Sequence, residues 1–309
     1  MIHVLNPGMF TTVQDLGRYG YGPIGVSPSG AADPIALRLG NLLVGNLESE
    51  AALEMTLLGG TFVFPDGGLI ALAGSDFGPS IDGEPVAMWT AHRVQPGQTL
   101  KTGPTRSGAR CYLCVHGGIA VKPLLGSAST HILTGLGGFE GRPLKKGDVV
   151  PIGDARPAER IVIPPKTIEA LQPRKLLRAT VGAQTDWFRP ESVKTFFSSP
   201  YLVTEDSNRM GLRLEGPALD TPHSGQMTSE GVSLGAVQVP AGGQPIILFV
   251  EQQTTGGYPK IANIISADLP SLGQLRPRDE VRFEFVSPAY ARTLIRDQES
   301  LIRSLEGGL

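Results

Sequence analysis

The sequence predicts a mainly β protein with a few helices, arranged as two β-barrel domains. Three observations carry this expectation. Short apolar runs recur along the whole chain, each bounded by turn formers and too short for an ordinary helix. Glycine (40) and proline (26) are abundant and punctuate those runs. The 309 residues exceed one typical domain of about 100–200 residues. The segment from Pro151 to Arg174 carries five prolines and several charges and reads as a linker, which places a boundary near residue 165. Domains 1–165 and 166–309 each have the size of a closed or nearly closed barrel. Closure also removes the free edges that so many short strands present.

The helices come first because their ends are marked. Asp33 can cap a helix that has Pro34 in its first turn and Gly45 after its end. Ile35, Leu39, Leu42 and Leu43 then share one apolar face. A second helix opens at Ser287-Pro288 and runs toward Leu305, with Ala291, Leu294, Ile295, Ile302 and Leu305 on one stripe. Shorter helices are expected at Pro190–Phe197 and Thr167–Leu171. Strands are expected at Thr61–Phe64, Leu69–Ala73, Tyr112–Val115, Arg160–Ile163, Leu176–Val181, Gly235–Val239, Ile246–Val250 and Val281–Phe285. The two cysteines, Cys111 and Cys114, lie on one strand at i and i+3 and therefore point to opposite faces. They read as packing residues of a reducing cytoplasm, not as a redox or zinc pair.

Several functions are disfavoured. The net charge of −2 comes without a Lys/Arg run for a nucleic acid or a membrane surface. No stretch of about 18 apolar residues or secretory signal is legible, which predicts a cytoplasmic protein. There is no Gly-x-x-x-x-Gly-Lys-Ser/Thr loop, no His-Glu-x-x-His and no Gly-x-Ser-x-Gly elbow. No metal site is expected. No Met-Lys pair is present, so the chain carries no covalent biotin by that route.

Three polar, glycine-rich loop clusters remain as candidate sites. The first runs from Thr11 through Gln14 and Asp15 to Arg18 and continues at Ser27 to Asp33, including Ser29. Asp15 and Arg18 either pair or hold a polar substrate, and Asp33 either caps its helix or orients a water. The second joins His116-Gly117-Gly118, Gly126 to Thr130 and Gly137 to Arg142. His116 at a strand end is a general-base candidate, and Arg142 can clamp a carboxylate or phosphate. The third, Glu251 to Lys260, crowds Gln253, Thr254, Thr255, Tyr258 and Lys260 at the exit of an apolar strand, which suits an amide-rich small molecule.

Together these loops resemble a known family. Gln14-Asp15-Leu16-Gly17-Arg18 with Ser29-Gly30-Ala31-Ala32-Asp33 is similar to its N-terminal signature, continued by Leu42 to Asn46 and Leu53 to Thr56. Ser207-Asn208-Arg209-Met210-Gly211, Gln238-Val239-Pro240 and Gln253 to Lys260 resemble its C-terminal signature. The family is that of biotin-dependent-carboxyltransferase-like proteins. It includes KipA-like proteins, the second of two "allophanate hydrolase" subunits and the matching part of urea carboxylase. Glu251 stands where an aspartate is expected, and Arg278 replaces a turn glycine.

The resemblance implies two cyclophilin-like β-barrel domains. It also implies two partner chains, one KipI-like and one of the LamB/YcsF type. Such assemblies open the lactam of 5-oxoproline with ATP to give L-glutamate; whether this chain or a partner binds the ATP and its Mg²⁺ stays open. By residue chemistry the catalytic candidates are Asp15, Asp33, His116 and Lys260; Cys114 and His116 occupy a strand end that is often more apolar in relatives. Arg18, Ser29, Arg142, Arg209, Gln238, Gln253, Thr254, Thr255 and Tyr258 bind substrate. Two alternatives stand beside it: the carboxyltransferase component of a biotin-dependent enzyme that acts on urea or a similar amide, and a non-enzymatic KipA-like regulator that binds a KipI-like kinase inhibitor.

Overall fold

The computed structural model describes residues 1–154, 161–221 and 226–306. The chain separates into two compact units. One comprises Met1–Arg18, Ser29–Leu171 and Ser304–Leu309; the other comprises Tyr19–Pro28 and Gln172–Arg303.

In the first unit, strands fall in two sheets that enclose one apolar core. A six-stranded sheet includes Ile2–Asn6, Thr61–Val63 and Thr99–Lys101, and a five-stranded sheet includes Phe10–Gln14, Ala52–Thr56, Gly68–Gly74 and Arg110–Val115. Ile2, Val4, Phe62 and Leu100 from one sheet meet Val13, Leu53, Met55, Leu72 and Leu113 from the other. The helix Pro34–Leu43 covers the outer face of the five-stranded sheet. The central strand Arg110–Val115 is therefore buried on both faces, which explains its unbroken apolar run. Cys111 enters the shared core, whereas the Cys114 thiol points at the helix and donates to the Leu37 carbonyl at 3.8 Å. Both are free thiols, and burial pushes both up in pKa. The helix begins as its cap predicts: the Asp33 carboxylate accepts from the Ala36 N–H at 3.0 Å, and Gly45 follows its end at φ 74°.

The second unit contains a closed barrel of seven strands. In ladder order these are Leu176–Val181, Lys260–Ile264, Ala236–Gln238, Ile246–Leu248, Gly211–Glu215, Tyr201–Val203 and Glu280–Phe285. The first and last close the barrel as a parallel pair. The helix Pro190–Ser198 seals one side through Phe196, which stacks on Phe283 at 4.3 Å and lies near Tyr201. The helix Pro288–Glu306 packs Ala291, Leu294 and Ile295 against Ile265, Ala267 and Val286.

Three sequence expectations require correction. Thr11 to Gln14 belongs to a strand, Phe10–Gln14, whose last four residues are all buried despite the polarity of three of them. Thr255–Gly256 and Lys260 are also strand residues. Residues 161–163 form no strand, and Arg160 lies outside the described residues. Among the described residues, no helix is long and apolar enough to cross a membrane.

Candidate functional site

Each unit carries one dense polar constellation. In the first unit it forms where the strand ending at Gln14 runs into a tight turn. Asp15 accepts from the Gly17 N–H at 2.8 Å, the Ser127 hydroxyl at 2.6 Å, the Ser129 hydroxyl at 2.5 Å and the Ala128 N–H at 2.6 Å. Arg18 is almost fully buried and donates to the carbonyls of Ser129 and, at 3.4 Å, Leu124. Gln14 and Ser29 both donate to the Thr130 carbonyl, at 3.1 and 2.7 Å. The first loop cluster of the sequence, 14–18 with 29–33, thus meets part of the second, 127–130. Ser29 adopts φ 54° to make its turn, a left-handed backbone that non-glycine residues rarely take.

A second layer fixes the 29–33 turn from below. Glu54 accepts from the Ala32 N–H at 2.8 Å and from the Tyr112 hydroxyl at 2.7 Å; the same hydroxyl accepts from the Asp33 N–H at 2.8 Å. Burial beside Glu54 and Asp33 raises the Tyr112 phenol far above its usual range, so it remains a neutral donor. Asp15 and Asp33 are consequently anchors of their loops. Arg142 stands elsewhere in the unit: it pairs with Asp148 at 2.8 Å and with Glu140 at 2.5 Å, and lies over the Phe139 ring. The Arg142 guanidinium holds the Asp148 carboxyl below the usual range. His116 closes the strand Arg110–Val115 outside the Asp15 constellation. Its Nδ1 is buried and has no hydrogen-bond partner among the described residues.

In the second unit, the constellation forms around Lys260, the first residue of its barrel strand. Gln238 is its cross-strand partner, at a point where the register shifts. Both side chains reach the same short ribbon: Lys260 meets Glu230, and Gly256, the cross-strand partner of Glu230, lies against the Gln238 amide. Lys260 is buried, and its Nζ meets Glu230 at 2.6 Å. Glu230 comes from a short ribbon, Glu230–Gly231 paired with Thr255–Gly256. Gln184 completes the cluster. Its Oε1 accepts from the Lys260 N–H at 3.2 Å, and its Nε2 donates to Glu230 at 3.1 Å. The hydrogen bond from Lys260 holds the Glu230 carboxyl below its usual range. Gln253 donates to Gln238 Oε1 at 3.4 Å, whereas Gln238 Nε2 is buried with no partner among the described residues.

The structure therefore brings Gln238, Gln253 and Lys260 together. Thr255 and Tyr258 are exposed on the same ribbon and loop, and Thr254 supplies its carbonyl to the Val232 N–H at 3.1 Å. Arg209 is placed apart, in a buried ion pair with Glu251. Sequence reasoning missed Gln184 and Glu230. Both lie far along the chain from Lys260 and carry no motif; pairing of Leu176–Val181 with Lys260–Ile264 and of Glu230–Gly231 with Thr255–Gly256 makes them neighbours. Among the described residues no group of His, Cys, Asp and Glu is arranged to hold a metal ion.

Fold and clusters together define a pair of β units with buried polar constellations, the architecture of a carboxyltransferase domain with its two subdomains. The family model for "Carboxyltransferase domain, subdomain A and B" matches residues 24–285. The chain belongs to this family. It is 40% identical over 307 residues to the C subunit of 5-oxoprolinase from Escherichia coli (strain K12), across 99% of this chain and 97% of that protein. It is 37% identical over 299 residues to the C subunit of 5-oxoprolinase from Haemophilus influenzae, across 97% and 96%. Among solved structures, the urea carboxylase of Kluyveromyces lactis superposes with a TM-score of 0.92 at 33% identity, covering 98% of this chain and 29% of that one. The K. lactis urea amidolyase gives 0.91 at 32% identity, over 98% and 20%.

Proposed function

We propose that this chain is the C-type subunit of an ATP-dependent 5-oxoprolinase, which opens the lactam of 5-oxo-L-proline to L-glutamate. The observation that carries this reading is the near end-to-end match, in both directions, to two proteins of that name. The Lys260 constellation suits the chemistry. An amide in a five-membered ring resists water until its oxygen is activated, and activation calls for fixed donors aimed at developing negative charge. Lys260 supplies positive charge, while the Gln238 and Gln253 amides offer donors and acceptors matched to a lactam. Asp15 and, through Oδ1, Asp33 hold loops of the first unit; His116, a base candidate by residue type, is to be tested by substitution.

This reading leaves ATP to a partner chain, because the arginines of these clusters serve internal partners. A triphosphate needs a cradle of free N–H groups or uncommitted cations. Arg142 and Arg209 are committed to carboxylates, and Arg18 to carbonyls. On the same reading the complex also holds a KipI-like chain and a LamB/YcsF-type chain, one of which takes ATP and its Mg²⁺. Glutamate release from 5-oxoproline and ATP should require this chain together with both partners. Equal release when this chain is omitted would discard the reading.

A second reading, carboxyl transfer to urea or a similar amide, is favoured by the urea carboxylase superposition. It requires a biotin carboxylase with its biotin carrier as partner, which charges biotin from ATP and bicarbonate, and predicts ATP- and bicarbonate-dependent carboxylation of urea when both are supplied.

A further inference from the structure

We propose that Lys260 Nζ and Gln184 Nε2 form a binding site for the carboxylate of a small ligand, and that Glu230 occupies it as a built-in competitor. The identity of the ligand rests on the 5-oxoprolinase reading; the site rests on geometry. Gln184 Oε1 accepts from the Lys260 backbone N–H, which fixes the orientation of the amide. Its Nε2 is thereby aimed at the same carboxylate oxygen, Glu230 Oε1, that Lys260 Nζ meets. Two donors, one cationic, converging on one carboxylate oxygen are the minimal elements of an anion site.

The burial is asymmetric. The Lys260 side chain is 5% exposed and that of Glu230 is 42% exposed. The ammonium and the Gln184 amide belong to the barrel and its adjoining turn, whereas the carboxylate arrives on a peripheral ribbon. A buried ammonium left without an anion is strongly penalised, so any departure of Glu230 favours entry of another carboxylate. Exchange of one for the other conserves charge and both hydrogen bonds.

A second, independent feature points to a ligand. Gln238, 1% exposed, lies against the same ribbon as Lys260 and keeps a buried Nε2 with no partner among the described residues. Gly256 of the ribbon lies close beside that amide: a Cβ there would stand 2.4 Å from Gln238 Nε2. A ligand carrying a carboxylate and, a few atoms away, an amide carbonyl would satisfy Lys260, Gln184 and Gln238 together. A cyclic amide bearing a carboxylate has this pattern; urea, which lacks the carboxylate, does not.

The test is calorimetric titration of the full chain with 5-oxo-L-proline and with 2-pyrrolidinone, the same ring without its carboxylate. Glu230→Gln keeps the side-chain shape but removes the competing charge. It should tighten 5-oxoproline binding roughly tenfold, the factor expected when a competitor masks nine sites in ten, and leave 2-pyrrolidinone unaffected. Glu230→Ala should act in the same direction, and Lys260→Gln should abolish the preference for the carboxylate-bearing ring. Binding no tighter in either Glu230 variant, equal effects on both rings, or no 5-oxoproline binding by any form would overturn the site. Tighter carboxylate binding without glutamate release in the full complex would uphold the site and remove the oxoprolinase reading. Glutamate release without binding here would keep that reading and move the substrate carboxylate elsewhere.

Discussion

Asp15 gathers four donors from two stretches more than a hundred residues apart in sequence. Removing the carboxylate leaves those donors without their acceptor, so Asp15→Ala should cost about 1–3 kcal/mol per group left buried, read as a lower urea midpoint at unchanged slope. Arg209 poses the opposite problem. Its ion pair with Glu251 is buried, so Arg209→Met strands a carboxylate and should cost about 3–5 kcal/mol, whereas the double change Arg209→Met with Glu251→Leu should recover most of that loss. A double-mutant cycle in urea measures both. The sequence marked Asp15 as catalytic and Arg209 as substrate-binding, and the structure gives them internal partners. A charged residue in a glycine-rich turn looks alike in sequence whether its partner is a ligand or another loop.

At the scale of the element, local rules decide where turns fall and tertiary contacts decide their strain. Arg278 stands where a turn glycine is expected and adopts φ 72°, the left-handed region costly for a residue with a Cβ. Its exposed pair with Glu205 returns little. Arg278→Gly should therefore stabilise the second unit by about 1 kcal/mol, seen as a higher melting temperature. Gly182 shows the reverse. A Cβ there would stand 2.3 Å from the Lys260 carbonyl and 2.7 Å from the Ala262 N–H. Gly182→Ala should push the turn bearing Gln184 off the barrel strand and cost about 1–3 kcal/mol, as overpacking does. Caps and prolines made Pro34–Leu43, Pro190–Ser198 and Pro288–Glu306 legible. Phe10–Gln14 was not legible as a strand, because Thr11, Thr12 and Gln14 are buried polar residues with internal hydrogen bonds to Pro7, to one another and to Thr130, and so break the apolar alternation.

For the whole molecule, pH reports which contacts matter to folding. The Asp148 carboxyl lies lower in the folded than in the unfolded chain, because Arg142 hydrogen-bonds its charged form. The unfolded state then binds more protons in acid. This contribution is fully present above the ordinary aspartate range, near 3.9, and is lost as pH falls through the depressed folded value. Asp148→Asn should flatten the acid limb of the stability curve. Tyr201, buried against Phe196 and Phe283, has its phenol pushed up to about 12. Its contribution is present below the unfolded tyrosine value, near 10, and is lost as pH rises through the folded one. Tyr201→Phe should hold its stability further into alkali, as followed by near-UV absorbance and far-UV circular dichroism.

The sequence by itself determined the β-rich class, the main helices with their caps, the opposite-facing cysteines and the family resemblance. These follow from interactions within a few residues, or from patterns laid along the chain. The tertiary structure alone decided that Gln14–Arg18, Ser29–Asp33 and Ser127–Thr130 form one internal knot, and that Gln184 and Glu230 surround Lys260. Those neighbours are brought together by strand pairing and barrel closure, and contact at long sequence separation leaves no periodic or local trace in a single chain.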